Sequence, residues 1–298
     1  MKLVYLGTSA AAPTVERSLT CICLVRENEV LMFDAGEGAQ VAYLKAGLPW
    51  NKKMKIFVTH LHGDHCLGIL GLLQTMSLQK RTEVVEIYGP VGIEDFITSN
   101  IKILNFGLPF PVFITIVNEG QVVNEKNYQI SCCDAQHGIP AYSYCFEENE
   151  KPGVFYPEKA KELGIPEGKM WQELQNGNSV KINGRNIDSS QVTGGKRPGK
   201  KIGISGDTRP NEKLQQFFEN SDYLSFDCTF SFDLRDRAIE TNHSTAKEAA
   251  ELAKTANVKN LILTHFSARY NDESVLLDEA KRIHESVIAA KDLLEIEI

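Results

Sequence analysis

The residues best suited to chemistry lie in one short stretch, Thr59-His60-Leu61-His62-Gly63-Asp64-His65-Cys66, where three histidines and a carboxylate occupy six positions. Imidazole nitrogens and carboxylate oxygens are donors that zinc prefers, and alternate side chains of an extended loop point the same way. His60 and His62 can therefore grip one ion while Asp64 and His65 face another. Two adjacent metal sites are expected. Cys66 is a further candidate donor, although nitrogen and oxygen donors suffice without it. Three more candidates each stand just beyond an apolar run. His137 follows Gln129-Ile130-Ser131-Cys132-Cys133, Asp207 follows Ile202-Gly203-Ile204, and His265 follows Leu261-Ile262-Leu263-Thr264. Residues at strand ends can be gathered at one sheet edge.

Two divalent ions about 4 Å apart lower the proton affinity of a shared water, so that a nucleophile exists at neutral pH, and they neutralise charge accumulating on phosphate oxygens. Phosphodiester hydrolysis needs both effects. The imidazole-rich set favours zinc, with manganese as a substitute.

The elements that must position these residues read as α/β. A length of 298 residues with 42% apolar content is enough for one large domain spanning 1–298, and no composition shift marks a second. Leu3–Leu6, Thr20–Val25, Val30–Phe33, Lys55–Thr59 and Val84–Tyr88 read as strands, and Glu37–Ala46, Cys66–Gln79 and Ile93–Leu104 as helices. Asp34, at a strand end beside the metal loop, is placed to accept a hydrogen bond from a ligating imidazole. The polar, Gly- and Pro-rich stretch 151–200 reads as a surface excursion. Asp272–Lys291 is predicted as a terminal amphipathic helix with His284 facing solvent.

The seven cysteines fall mostly in apparent strands and show no Cys-x-x-Cys pair, which fits reduced, buried thiols. Met1-Lys2 leads straight into a strand, so no signal peptide is expected, and no apolar run approaches membrane-spanning length. A cytoplasmic protein is expected. A net charge of −7 argues against general coating of nucleic acid, so an RNA partner would need a local basic patch such as Lys52-Lys53-Lys55, Lys80-Arg81 or Lys196-Arg197 with Lys200-Lys201.

The pattern His60-x-His62-x-Asp64-His65 resembles the metallo-β-lactamase superfamily, and Phe33-Asp34-Ala35-Gly36-Glu37-Gly38-Ala39-Gln40 resembles a segment of the ribonuclease Z family of tRNA 3′-processing endonucleases. The resemblance implies an αββα sandwich. It assigns His60, His62 and His137 to a first zinc and Asp64, His65 and His265 to a second, with Asp207 bridging both. It also implies that Asp64 orients the nucleophile and accepts its proton, and that His243, in His243-Ser244-Thr245, serves the leaving group. The family supports that histidine with a Glu. Phe226-Asp227-Cys228-Thr229 supplies Asp227 instead, one methylene shorter, which leaves the orientation of His243 open; His243 as a plain helix-entry residue is the alternative.

Family members carry a protruding arm that clasps the tRNA body. The resemblance places a short, apolar version within 93–117, with Lys102, Phe106 and Phe110 as candidate RNA contacts, or with the two aromatics in the core. The implied substrate is precursor tRNA, cut after the discriminator nucleotide to leave a 3′-hydroxyl, and the implied assembly is a homodimer with no membrane partner. A metal-dependent lactonase or arylsulfatase-like hydrolase and a non-catalytic RNA-binding relative are the rival readings.

Overall fold

In the computed structural model, which describes residues 1–298, the apolar runs form two seven-stranded sheets. The first has the order Glu295–Glu297, Lys2–Gly7, Cys21–Val25, Glu29–Phe33, Lys53–Phe57, Val85–Gly89, Val112–Ile116. From Glu29–Phe33 to Val112–Ile116 neighbouring strands are parallel. Parallel strands covered on both faces need near-continuous apolar sequence, and Glu29-Val30-Leu31-Met32-Phe33 and Lys53-Met54-Lys55-Ile56-Phe57 are buried accordingly. The register aligns Phe33, Phe57 and Tyr88, so the chain leaves these strands at a common edge. Asp34 and Thr59 lie there.

The second sheet has the order Val287–Ala289, Asn260–Thr264, Tyr223–Asp227, Lys201–Ile204, Tyr142–Glu148, Tyr128–Asp134, Gly120–Glu125. Its first four members are parallel, and Asp227 pairs with Thr264 at their C-terminal ends. In such sheets ligands bind outside the carboxyl ends of the strands. The inner faces meet through Phe33 and Phe57, whose stacked rings lie 6.1 and 5.4 Å from that of Tyr144, and through a hydroxyl contact between Tyr5 and Ser225. Helices Ala39–Lys45, Gly68–Leu78 and Ile93–Leu104 close the first core, and Glu212–Phe217, Ala246–Thr255 and Ser274–Lys281 the second. The layers run helix, sheet, sheet, helix, as expected. No helix is long and apolar enough to cross a membrane.

The segment 93–117, expected as a short arm, contributes a helix and an edge strand to the first half. Ile93–Leu104 packs on the first sheet, Val112–Ile116 is that sheet's edge strand, and Phe110 is core, 4% exposed with the Arg81 guanidinium 5.7 Å from its ring centre. Burying such a ring is worth roughly 2–3 kcal/mol. Lys102 stays exposed and Phe106 half-buried.

The stretch read as a surface excursion instead belongs to a second compact unit, Glu125–Gln129 with Glu147–Lys200, which has its own small core of Ala160, Ile165, Leu174, Val180, Ile187 and Val192. The predicted terminal helix stops at Lys281, because the β-branched run from Val287 extends the second sheet and Glu295–Glu297 pairs with Lys2–Val4 of the first. His284 is therefore buried, its Nε2 2.9 Å from the Val258 carbonyl.

Candidate functional site

Each candidate donor sits where a strand has just ended. Strand Lys53–Phe57 passes through Thr59 into the loop of His60 and His62, which turns into the short helix Gly63–Cys66 carrying Asp64 and His65. Gly68 makes the following turn close enough, since a Cβ there would lie 1.9 Å from the Gly36 carbonyl oxygen. His137 follows strand Tyr128–Asp134, Asp207 follows Lys201–Ile204, and His265 follows Asn260–Thr264. The structure brings all seven together. His60, His62, His137 and Asp207 form one group and Asp64, His65, Asp207 and His265 another, with the donor atoms of each group within 4.8 Å of one another. Cys66 is buried and belongs to neither group.

In the first group, His62 Nδ1 lies 3.0 Å from His60 Nε2 and 3.1 Å from His137 Nε2. In the second, Asp64 Oδ2 is 3.5 Å from both His65 Nε2 and His265 Nε2. Asp207 joins them, its Oδ2 3.2 Å from His65 and 3.6 Å from His60, its Oδ1 3.2 Å from His265.

The outer partners fix which ring nitrogen faces inward. Asp34, left-handed at φ 57, accepts from the Thr59 amide and hydroxyl at 2.7 and 2.8 Å and from His65 Nδ1 at 2.7 Å. Since the Thr59 hydroxyl donates to Asp34, it accepts from His60 Nδ1 at 3.0 Å. Asp227 repeats the arrangement in the other sheet. It accepts from His243 Nδ1 at 2.9 Å and from the Thr229 hydroxyl at 2.7 Å, and that hydroxyl accepts from His265 Nδ1 at 2.9 Å. His137 Nδ1 donates to the Asn242 carbonyl at 3.3 Å. In their neutral form His60, His65, His137 and His265 therefore all turn a bare Nε2 toward the centre. Outer partners of this kind orient metal ligands.

The donor set fits divalent cations. Lone pairs that converge at about 3 Å without a proton between them repel unless a cation lies among them. Two buried atoms at this centre, His65 Nε2 and Asp207 Oδ1, have no hydrogen-bond partner, and a bound cation is one partner that would satisfy both. Electrostatics agree. Burial lowers His265 basicity, yet the carboxylates of Asp207, Asp227 and Asp64 raise its pKa to about 10. His65 rises likewise, beside Asp207 and Asp34, against the effect of burial. Burial and the neighbouring His65 hold His60 down to about 2. The centre attracts positive charge, while His60 resists a proton.

His243 lies beside this set, its ring 5.2 Å from those of His137 and His265. Burial opposes its protonation, but the Asp227 carboxylate raises its pKa. Asp227 therefore reaches His243 despite its shorter side chain. Sequence reasoning missed Thr59 and Thr229, because a threonine at a strand end looks like any β-branched strand residue. It also missed Arg209 and Glu248, described below.

A family model described as anti-Pycsar protein Apyc1 matches residues 1–101, which end before His137, Asp207 and His265. The ribonuclease Z of Nitrosopumilus maritimus is 64% identical over 298 residues, covering 100% of both chains. The chain belongs to the ribonuclease Z family. Human tRNase Z, short form, superposes with a TM-score of 0.73 at 27% identity, covering 100% of this chain and 99% of that one. The metallo-β-lactamase fold protein YhfI of Bacillus subtilis superposes with a TM-score of 0.67 at 17% identity over 100% and 99% of the two chains, a likeness of fold. The helix, sheet, sheet, helix sandwich is thus the metallo-β-lactamase fold of a ribonuclease Z, and its histidine and aspartate clusters could hold divalent metal.

Proposed function

We infer that this chain is a tRNA 3′-processing endoribonuclease, a hydrolase that cuts precursor tRNA after the discriminator nucleotide, and we propose that it works with two zinc ions per chain. The observation that carries the metal assignment is the convergence of seven donors from four separate stretches of chain, two of their atoms orphaned in the protein alone. His60, His62 and His137 would hold the first ion, Asp64, His65 and His265 the second, and Asp207 both. Zinc suits the imidazole majority, and manganese is the expected substitute. When bound, the pair supplies a water-derived nucleophile at neutral pH and neutralises phosphate charge.

The protein's own groups do the rest. Asp64, whose Oδ2 also accepts from the Ala11 amide at 2.7 Å, is held to receive the proton of the attacking water. Water adds to phosphorus, the bond to the 3′ oxygen of the discriminator nucleotide breaks, and the phosphate stays on the trailer. His243, fixed through Nδ1 by Asp227, gives its Nε2 proton to the departing oxygen, which becomes the 3′-hydroxyl of the tRNA.

The grip on the tRNA body belongs to the compact unit Glu125–Gln129 with Glu147–Lys200, where Lys196 and Arg197 are exposed, with Lys102 and Phe106 as outlying contacts. A homodimer is proposed from the family. Val41, Leu44 and Leu67, exposed by 49, 61 and 50%, offer apolar surface for it. A cytoplasmic location follows from the substrate.

The test is incubation of the purified protein with a precursor tRNA, with and without chelator, followed by mapping of the new end. One metal-dependent cut leaving a 3′-hydroxyl after the discriminator supports the assignment. Cleavage that survives chelation, or hydrolysis of lactones and aryl esters in preference to RNA, contradicts it.

A further inference from the structure

We propose that Arg209 and Glu248 are positioning residues that set His243 for proton delivery, an inference that rests on the role of His243 given above. Arg209 stands two residues beyond Asp207, and its side chain crosses to the loop of His243. Its Nη1 donates to the His243 carbonyl at 2.6 Å and to Glu248 Oε2 at 2.8 Å, while Nη2 contacts Glu248 Oε1. Both side chains are about nine-tenths buried, at 10% and 9% exposure.

Glu248 also caps helix Ala246–Thr255. Its Oε2 accepts from the Thr245 amide and hydroxyl at 3.2 and 2.8 Å, while its own amide donates to the Thr245 hydroxyl at 3.3 Å. The cap requires only Thr245 and the Glu248 carboxylate. Arg209 is superfluous to it. A buried ion pair gives little net stability over an apolar pair of similar volume, so stability alone does not account for a guanidinium here.

Its connections account for it. The Arg209 amide donates to the Gln136 carbonyl at 3.0 Å, and the Gln136 amide to the Thr208 hydroxyl at 3.0 Å, beside His137. The Ser244 hydroxyl donates to the Thr208 carbonyl at 2.5 Å. The Thr208-Arg209 backbone and the Thr208 hydroxyl thus join the loops of Asp207 and His137, and the Arg209 guanidinium ties them to the carbonyl of His243. Asp227 orients the His243 ring, and the Arg209–Glu248 clamp holds the backbone from which that ring projects. Bidentate pairing needs the planar fork of arginine, which lysine lacks.

The test compares two substrates in single-turnover assays. Departure of the tRNA 3′ oxygen needs a proton, whereas bis(p-nitrophenyl) phosphate releases a nitrophenolate that needs none. Misplacing a proton donor by a fraction of an ångström should slow precursor tRNA cleavage by about 10- to 100-fold. Arg209→Lys and Glu248→Gln are therefore expected to lower the ratio of the RNA rate to the activated-diester rate by that amount, with bound metal unchanged. Glu248→Gln keeps an oxygen for the cap, so it carries the test if the arginine variant fails to fold. Equal losses on both substrates, or none, would overturn the proposal. His243→Ala separates the two claims. If it leaves the ratio unchanged, the role given to His243 fails; if it lowers the ratio while both clamp variants do not, the clamp alone fails.

Discussion

The two sheets meet at the metal centre with the same device, a carboxylate linked to a threonine hydroxyl and two imidazoles, yet they use it differently. In the first sheet Asp34 serves His65 directly and His60 through Thr59, and both imidazoles face the metal groups. In the second, Asp227 serves His265 through Thr229 but spends its direct contact on His243, which stands beside the ligand set. Both devices include a residue in the left-handed region, Asp34 at φ 57 and His265 at φ 63, a conformation that costs a non-glycine residue about 1–3 kcal/mol. In the proposed mechanism the first half takes the attacking water's proton on Asp64, and the second, through His243, supplies one to the leaving group.

That contrast is open to breaking. The largest effect is expected at Asp64→Ala, which should lower single-turnover cleavage of precursor tRNA about 10³-fold or more while leaving the fold intact. Retained activity would remove Asp64 as the proton acceptor. His243→Ala should slow the chemical step by about 10²- to 10³-fold, with RNA affinity and metal content unchanged. Loss of RNA binding in proportion would place His243 in substrate binding instead. Asp34→Ala should weaken metal retention by about 100-fold, near the upper end for an outer partner, because it releases two ligands. Competition with a chromophoric chelator reads this, and retention equal to the wild type would show that Asp34 orients nothing. Smallest are Thr59→Val and Thr229→Val, each near a 10-fold loss of affinity. Thr59→Val should leave the RNA-to-activated-diester ratio alone, while Thr229→Val, which removes one of the two hydrogen bonds to Asp227 Oδ1, should shift it; identical behaviour would erase the difference between the halves.

The same contrast explains what the sequence disclosed. The first half writes its ligands into a single loop, His60 to His65, and chemistry-bearing types at that spacing have few other uses. In the second half Asp207, Asp227 and His265 are single residues at strand ends, visible because each follows an apolar run and because the family pattern supplied the order. The Arg209–Glu248 clamp was hidden, since nothing local links a residue after one strand to the third residue of a helix. Gly107-Leu108-Pro109-Phe110-Pro111 has an arm's composition, while register and burial make it a connection within the first sheet. The compact unit at 147–200 was masked by its small core, six apolar side chains diluted among polar neighbours. His284 and the last two strands were lost for a related reason. A helical pattern that is sound to Lys281 was extended across β-branched residues whose partners lie far back in the chain.

The account depends on two cations sharing Asp207, and elemental analysis of the wild-type protein and the Asp207→Ala variant, each loaded with zinc and freed of excess, tests that most directly. Two ions per chain in the wild type, falling to one or fewer in the variant, is the predicted result. A single ion in the wild type, or two retained without Asp207, would contradict it.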